Sequence, residues 1–97
     1  MNIRYSLEAV EDLRRLREFI AEKNPAAAQR AAATILRGLT QLKSFPLLGA
    51  KVSRAPNPDS VRDLVIGDYL ARYLVQEKEI YVLRIWHQKE DRFSRTP

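Results

Sequence analysis

The most informative stretch of the sequence is Val61–His87, which reads VRDLVIGDYLARYLVQEKEIYVLRIWH. It contains runs of β-branched, aromatic and aliphatic residues, separated by Gly67-Asp68 and by the polar segment Gln76–Glu79. Gly and Asp tolerate the backbone torsions of tight turns, and a short polar segment suits the tip of a hairpin. The pattern predicts three consecutive antiparallel strands, Val61–Ile66, Tyr69–Gln76 and Ile80–His87.

Both faces of this predicted sheet carry apolar side chains. Leu70, Arg72 and Leu74 share one face of the middle strand, opposite to Tyr69 and Tyr73. In the last strand neither alternating set is cleanly polar, although a face turned to water should be polar. Either loops of this chain cover the second face or another polypeptide does, and the pattern leaves both open.

The N-terminal half predicts a strand followed by a helical hairpin. Asn2–Tyr5 is a short run that suits a strand added to the sheet, and Ser6 is a candidate N-cap for a helix over Leu7–Glu22. Asn24-Pro25 ends that helix and begins a second one that extends to Lys43. The apolar stripe of the first helix comprises Leu7, Val10, Leu13, Leu16 and Ile20, with Phe19 at its edge. The inner face of the second comprises Ala28, Ala31, Ala32, Ile35, Leu39 and Leu42.

Two further features of the helices concern charge and packing. Glu8, Glu11 and Asp12 lie in the first turns of the first helix, where the helix dipole favours negative charge. Gly38, within the second helix, marks either close packing or a weak point, since glycine disfavours helix by about 1 kcal/mol relative to alanine.

Phe45–Ser60 predicts a loop, because its prolines and its glycine interrupt regular structure. We expect Phe45, Leu47 and Leu48 to cover an open end of the core, and Asn57–Ser60 to form a turn into the sheet. Residues 88–97 predict a polar tail, ordered in part and anchored by Phe93. We therefore expect residues 1–97 to form one two-layer α+β domain with the order βααβββ.

Composition narrows the chemistry that the chain can perform. The absence of cysteine excludes disulfides, thiol catalysis and zinc sites built on cysteine. With one histidine in the sequence we expect no metal site and no cofactor. The sequence has neither a secretory signal nor a run of apolar residues long enough to cross a bilayer, so we expect a cytoplasmic protein with no membrane partner. Its net charge of +5 suits an acidic partner, although the basic residues are dispersed.

Several short motifs, taken in their order along the chain, resemble the ParE/RelE superfamily, the toxins of bacterial type II toxin–antitoxin pairs. The resemblance is strongest to the ParE-like branch. The motifs cover most of the chain. They are Ala9-x-x-Asp12-Leu13 with Ile20, Asn24-Pro25-x-Ala27-Ala28, Phe45-Pro46-x-x-Gly49, Val61-Arg62-Asp63-Leu64, Tyr69-Leu70-x-x-Tyr73, and Ile80-x-x-Leu83-Arg84-Ile85-x-His87. The resemblance implies a role in plasmid maintenance or in a stress response.

The resemblance implies one of two activities. RelE-like members cleave mRNA on the ribosome without a metal, and ParE-like members inhibit DNA gyrase without a nuclease site. RelE-like nucleases commonly have an arginine where this sequence has Leu70, and a leucine cannot stabilise a phosphorane. Under the nuclease alternative, His87 is the general acid, and Arg72, Arg84 and Lys89 bind phosphate.

We therefore expect a gyrase-inhibiting toxin that acts by binding, with no catalytic residues and no need to contact nucleic acid directly. The alternatives are a metal-independent endoribonuclease of the RelE type and a decayed toxin that only binds antitoxin. A cognate antitoxin is the expected partner, and a toxin homodimer within the toxin–antitoxin complex stays open. The candidate antitoxin-binding residues are Leu16, Phe19, Leu70, Arg72, Leu74 and Trp86.

Overall fold

A computed structural model describes residues 1–53, 55 and 60–88 of the chain. Its elements are the strand β1 (Asn2–Tyr5), the helices α1 (Leu7–Ala21) and α2 (Pro25–Thr40), a 3₁₀ turn (Gln41–Lys43), and the strands β2 (Ala50–Lys51), β3 (Val61–Ile66), β4 (Tyr69–Val75) and β5 (Glu79–His87). The α+β class, the helical hairpin and the meander are as predicted. The predicted turn at 57–60, apart from Ser60, and the tail from residue 89, with Phe93 and Lys89, lie outside the described residues.

Both helices begin at the predicted caps. Ser6 Oγ accepts a hydrogen bond from the Ala9 N–H at 2.9 Å, and Asn24 Oδ1 accepts one from the Ala27 N–H at 3.1 Å. These bonds satisfy backbone donors that the first helical turn leaves without partners. The α-helical part of α2 ends at Thr40, and the predicted continuation to Lys43 is a 3₁₀ turn.

The sheet is mixed, with the strand order β1-β5-β4-β3-β2. The meander β3-β4-β5 is antiparallel, whereas β1 pairs with β5 in parallel, from Asn2 opposite Glu79 to Tyr5 opposite Val82. The short strand β2 at the other edge pairs with β3 and was not predicted. Gly67, with φ +59°, makes the β3–β4 turn, a conformation that glycine adopts without strain.

A β-bulge explains why neither alternating set of β5 is cleanly polar. Arg72 pairs with Arg84, but the next residue, Tyr73, pairs with Val82, so Leu83 is an extra residue on β5. An extra residue exchanges the two faces of a strand. The fully buried side chains of β5 are accordingly Ile80 and Val82 before the bulge and Ile85 after it.

One core lies between the helices and the sheet. It joins Ala9, Leu16, Ile35, Leu39 and Leu42 to Leu64, Ile66, Ala71, Tyr73, Ile80, Val82 and Ile85. Gly38 marks close packing, because a Cβ built there would lie 2.7 Å from Ile66 Cγ2. In the described ranges, no helix is long and apolar enough to cross a membrane.

Two predictions about burial are wrong. Leu7 is 83% exposed and Val10 is also exposed, because α1 turns Ala9, Asp12 and Leu16 inward instead. Phe45, Leu47 and Leu48 do not cover the core; they are 63%, 59% and 47% exposed. Leu42, fully buried in the preceding turn, contributes to the core where these three do not.

Candidate functional site

Helix α1 completes the edge of β5 beyond the point where β1 ends. The Ser6 hydroxyl donates to the Leu83 carbonyl at 2.8 Å, and Asp12 Oδ2 accepts from the Ile85 N–H at 2.9 Å. The same carboxylate accepts from Arg84 Nε at 2.8 Å and from Arg84 Nη2 at 3.1 Å. Asp12, predicted to act on the helix dipole, is therefore a buried residue that joins helix to sheet. Its spacing from Ala9 and Leu16 on one helical face was the signal that sequence analysis missed.

Three of the predicted site residues meet on the outer face of the sheet, opposite the core. The Arg72 guanidinium lies 5.2 Å from the centre of the Trp86 ring, and that of Arg84 lies 5.4 Å from it. We call these three residues the Trp86 cluster. Guanidinium groups at this distance attract the face of an aromatic ring. Leu70, opposite Trp86 in the pairing, is nearly buried on the same face, and Leu74 lies there half-buried.

Carboxylates partner both arginines of the Trp86 cluster. Arg72 donates through Nε and Nη2 to the two oxygens of Asp63, at 2.9 and 3.1 Å. Arg84 makes the equivalent pair of bonds to Asp12. Such two-bond pairs fix the plane of the guanidinium and neutralise much of its charge. The arginines of the cluster are therefore ordered and largely charge-compensated, and they lie over an indole that is only 8% exposed.

The other predicted residues, Leu16, Phe19 and His87, lie around a groove on the helical side. The groove, of about 630 Å³, is lined by Arg15, Leu16, Phe19, Ile20, Ala27, Tyr69 and His87. We call it the hairpin groove. Leu16 is buried at its base, whereas Phe19 is 61% exposed. The six candidate antitoxin-binding residues thus divide between two surfaces, with Leu16 and Phe19 here and the other four on the outer face.

His87 does not share a face with the arginines that the nuclease alternative pairs with it. It pairs with Tyr69, on the core side of β4, and its ring meets the Tyr69 ring edge-on with centroids 5.3 Å apart. Burial, helped by the negative charge of Asp68, raises the pKa of the Tyr69 hydroxyl. That hydroxyl is therefore neutral and a poor proton donor near pH 7. The remaining candidate, Lys89, lies outside the described residues.

A second pair of side chains holds the loop that follows α2. The Tyr73 hydroxyl donates to the Pro46 carbonyl at 2.8 Å and accepts from the Gly49 N–H at 2.9 Å. Arg62 Nη1 donates to the Gly49 carbonyl at 2.9 Å and to the Leu47 carbonyl at 3.3 Å. The sequence did not predict that Tyr73 and Arg62 hold this loop. The described residues contain no group of three or more His, Asp or Glu side chains placed to hold a metal ion.

Comparisons with known proteins agree with one another. The family model for the ParE toxin of type II toxin–antitoxin systems (parDE) matches residues 3–92. Toxin RelE2 of Caulobacter vibrioides is 29% identical over 84 residues, covering 86% of this chain and 90% of that protein. Toxin RelE1 of the same organism is 30% identical over 87 residues, covering 90% and 92%.

A solved structure described as a chromosomal ParDE toxin–antitoxin system from P. aeruginosa superposes with a TM-score of 0.74 at 26% identity. The match covers 90% of this chain and 95% of that one. The family match spans nearly the full sequence, and the fold match covers most of both chains. The chain therefore belongs to the ParE toxin family of type II toxin–antitoxin systems.

Proposed function

We propose that this toxin acts by binding and inhibiting DNA gyrase, and not by cleaving mRNA on the ribosome. Membership of the family makes it a type II toxin and implies a cognate antitoxin as its partner. What we propose beyond family membership is that the target is DNA gyrase and not mRNA on the ribosome. The curated relatives carry RelE names and the family model carries a ParE name, so names favour neither target.

The observation that carries the proposal is the separation of His87 from the arginines. A metal-free ribonuclease must place a proton donor and an uncompensated cation around one phosphate. Here His87 lines the hairpin groove, while Arg72 and Arg84 lie over Trp86 on the opposite face. Both arginines also bind carboxylates, which reduces the positive potential that they offer to a phosphorane.

The second support is Leu70. Where RelE-like nucleases commonly have an arginine, this chain has a leucine that is nearly buried and paired with Trp86. Replacing a cation by a buried aliphatic side chain removes charge stabilisation at that position. Both features favour a toxin that grips a protein.

Two assays with purified components test the target. One measures supercoiling by gyrase across a range of toxin concentrations, and the other maps mRNA ends by primer extension on translating ribosomes. We expect inhibition of supercoiling and no toxin-dependent mRNA ends. The variant His87→Ala should inhibit gyrase as well as the wild type does, because binding needs no proton donor.

Codon-linked mRNA cleavage without gyrase inhibition would refute the proposal and support the nuclease alternative. In that case His87→Ala should abolish cleavage. Absence of growth inhibition on induction of the wild type would instead indicate a decayed toxin that only binds antitoxin.

We further propose that the antitoxin binds across the hairpin groove and the outer sheet face with an acidic, amphipathic segment that orders on binding. The groove is apolar, Arg15 lies at its rim, and the chain has a net charge of +5, all of which suit such a segment. Phe19→Ser should weaken antitoxin binding by about tenfold or more if Phe19 is an anchor residue. The control is Leu7→Ser, which replaces a more exposed apolar residue of the same helix that does not line the groove. Light scattering of the complex shows whether it contains a toxin homodimer.

A further inference from the structure

Three large apolar side chains project from the loop between the 3₁₀ turn and β2. Phe45, Leu47 and Leu48 are each exposed, whereas the neighbouring Leu42 is fully buried. The three exposed side chains are therefore not part of the core. Single exposed apolar residues are ordinary, but a contiguous group is typical of an interaction surface. We call Phe45, Leu47 and Leu48 the apolar loop.

The backbone of this loop is held against the sheet by side chains from two strands. Tyr73 binds the Pro46 carbonyl and the Gly49 N–H, and Arg62 binds the carbonyls of Leu47 and Gly49. Four backbone groups between Pro46 and Gly49 are therefore fixed. An apolar segment that is already ordered loses less conformational entropy when a partner binds it.

Gly49 makes this arrangement possible. A Cβ at that position would lie 2.7 Å from the Asp63 carbonyl oxygen and 2.9 Å from Tyr73 Cε1. The loop backbone at Gly49 therefore packs directly against β3 and β4, at a distance that leaves no room for a side chain at position 49. This contact fixes one end of the loop and keeps Leu47 and Leu48 directed at solvent.

The charge around the apolar loop defines the chemistry of its partner. Two exposed lysines, Lys43 and Lys51, flank the apolar loop in sequence. The nearby Arg62 adds a third cation, and the carboxylate next to it in sequence, Asp63, is bound to Arg72. An apolar centre with a basic rim fits a protein pocket that is apolar inside and acidic at its edge.

We propose that the apolar loop is the contact through which this toxin grips its protein target. The inference rests on the proposed function, in that the target is a protein. The hairpin groove, assigned above to the antitoxin, lies beyond the opposite end of α2. From Ala27 to Thr40 the helix rises roughly 20 Å, at about 1.5 Å per residue. The apolar loop and the groove part of the antitoxin site are therefore separate on this chain.

The test compares two double variants of the full chain. Phe45→Ser/Leu47→Ser removes two exposed side chains of the apolar loop, and Leu7→Ser/Val10→Ser removes two exposed side chains of α1. Each purified variant is measured for inhibition of gyrase supercoiling, for antitoxin affinity and for its urea unfolding midpoint. Each is also induced in cells, and growth is compared at equal toxin levels.

We expect the loop variant to need about tenfold or more toxin for half-inhibition and to lose growth inhibition, as loss of anchor residues implies. The α1 variant should stay within roughly threefold of the wild type in both assays, as residues outside a contact do. Antitoxin affinity and unfolding midpoints should be unchanged in the loop variant. A loop variant that inhibits gyrase and growth as the wild type does overturns the inference and leaves the gyrase proposal intact.

The remaining outcomes separate the two proposals. A wild type that does not inhibit gyrase, with a loop variant that no longer inhibits growth, removes gyrase as the target but supports the loop as the target contact. A loop variant whose only defect is antitoxin binding or a changed oligomeric state overturns the inference, because it assigns the loop to the antitoxin or to a second toxin copy.

Discussion

Removal of the Asp12 carboxylate should strongly destabilise the fold. Asp12 is only 4% exposed and is the acceptor for the Ile85 N–H on β5, at 2.9 Å. It also binds Arg84 through two hydrogen bonds. Asp12→Ala leaves the Ile85 N–H buried with no acceptor at that position and removes the bridge between α1 and β5.

The magnitude follows from these contacts. A buried N–H left without an acceptor costs about 1–3 kcal/mol. The Arg84 side chain is 41% exposed, so water screens its ion pair, and the loss adds only about 0.5–1 kcal/mol. We therefore expect the free energy of unfolding to fall by about 1.5–4 kcal/mol. For a chain of 97 residues this lowers Tm by roughly 6–30 °C, at about 4–8 °C per kcal/mol.

Urea unfolding followed by circular dichroism at pH 7 measures the change. Asp12→Asn keeps an oxygen that can accept from the Ile85 N–H, so it should cost less than half as much as Asp12→Ala. Glu11→Ala removes an exposed carboxylate from the same helical turn, where its partner is the exposed Arg14, and should leave the unfolding midpoint nearly unchanged. A loss below about 1 kcal/mol for Asp12→Ala, or equal losses for both Asp12 variants, would refute the reasoning.

Three further predictions concern packing, the loop and pH. Gly38→Ala should lower the free energy of unfolding by about 1–3 kcal/mol, because the new methyl group overlaps the Ile66 side chain. Ile66→Ala removes all three overlapping atoms, so in urea unfolding the double variant should lose less than the sum of the two single losses, and additive losses would contradict the overlap. Tyr73→Phe should lower the free energy of unfolding by about 1–3 kcal/mol, because it removes the hydrogen bonds to Pro46 and Gly49. The same change should speed proteolysis of the apolar loop, and unchanged cleavage kinetics would contradict the role of Tyr73 in holding that loop. Burial raises the pKa of Tyr73 above its ordinary value of 10.0. The stability that comes from keeping the Tyr73 hydroxyl neutral is therefore complete below pH 10 and is lost as the pH rises through the higher folded-state pKa. Urea unfolding midpoints measured from pH 8 to 11 should therefore fall less steeply for Tyr73→Phe than for the wild type.

Local features of the sequence were sufficient for most of the architecture. The caps at Ser6 and Asn24, the proline at the start of α2 and the glycine at the β3–β4 turn act within a few residues of their position. Such interactions depend on neighbours in sequence, which is why helix starts and strand bounds agree closely with the structure. The inner face of α2, an alanine-rich stripe that continues into Ile35, Leu39 and Leu42, could be read in the same way.

The candidate site was predicted less completely. The sequence identified Arg72, Arg84 and Trp86 as surface candidates, and the structure brings them together in one cluster. Alternation separates His87 from Arg84 and Trp86, but it could not show which of the two faces packs on the core, because the bulge at Leu83 exchanges the faces of the strand. A bulge depends on how two strands align, and no residue type marks it.

Periodicity, capping and turn chemistry predict two helices, a meander and a short first strand from the sequence alone. Each of these signals depends only on residues that lie close together in the sequence. Long-range contacts decide which side chains face the core and which face a partner. Asp12 and Ile85 are 73 residues apart, and their hydrogen bond helps to set the rotation of α1 that leaves Leu7 and Val10 in solvent. Tyr73 and Gly49 are 24 residues apart, and their bond helps to hold the apolar loop outward. Hydrophobicity alone predicts burial for Leu7, Val10 and the apolar loop, whereas the tertiary structure buries Ala9, Leu16 and Leu42 instead.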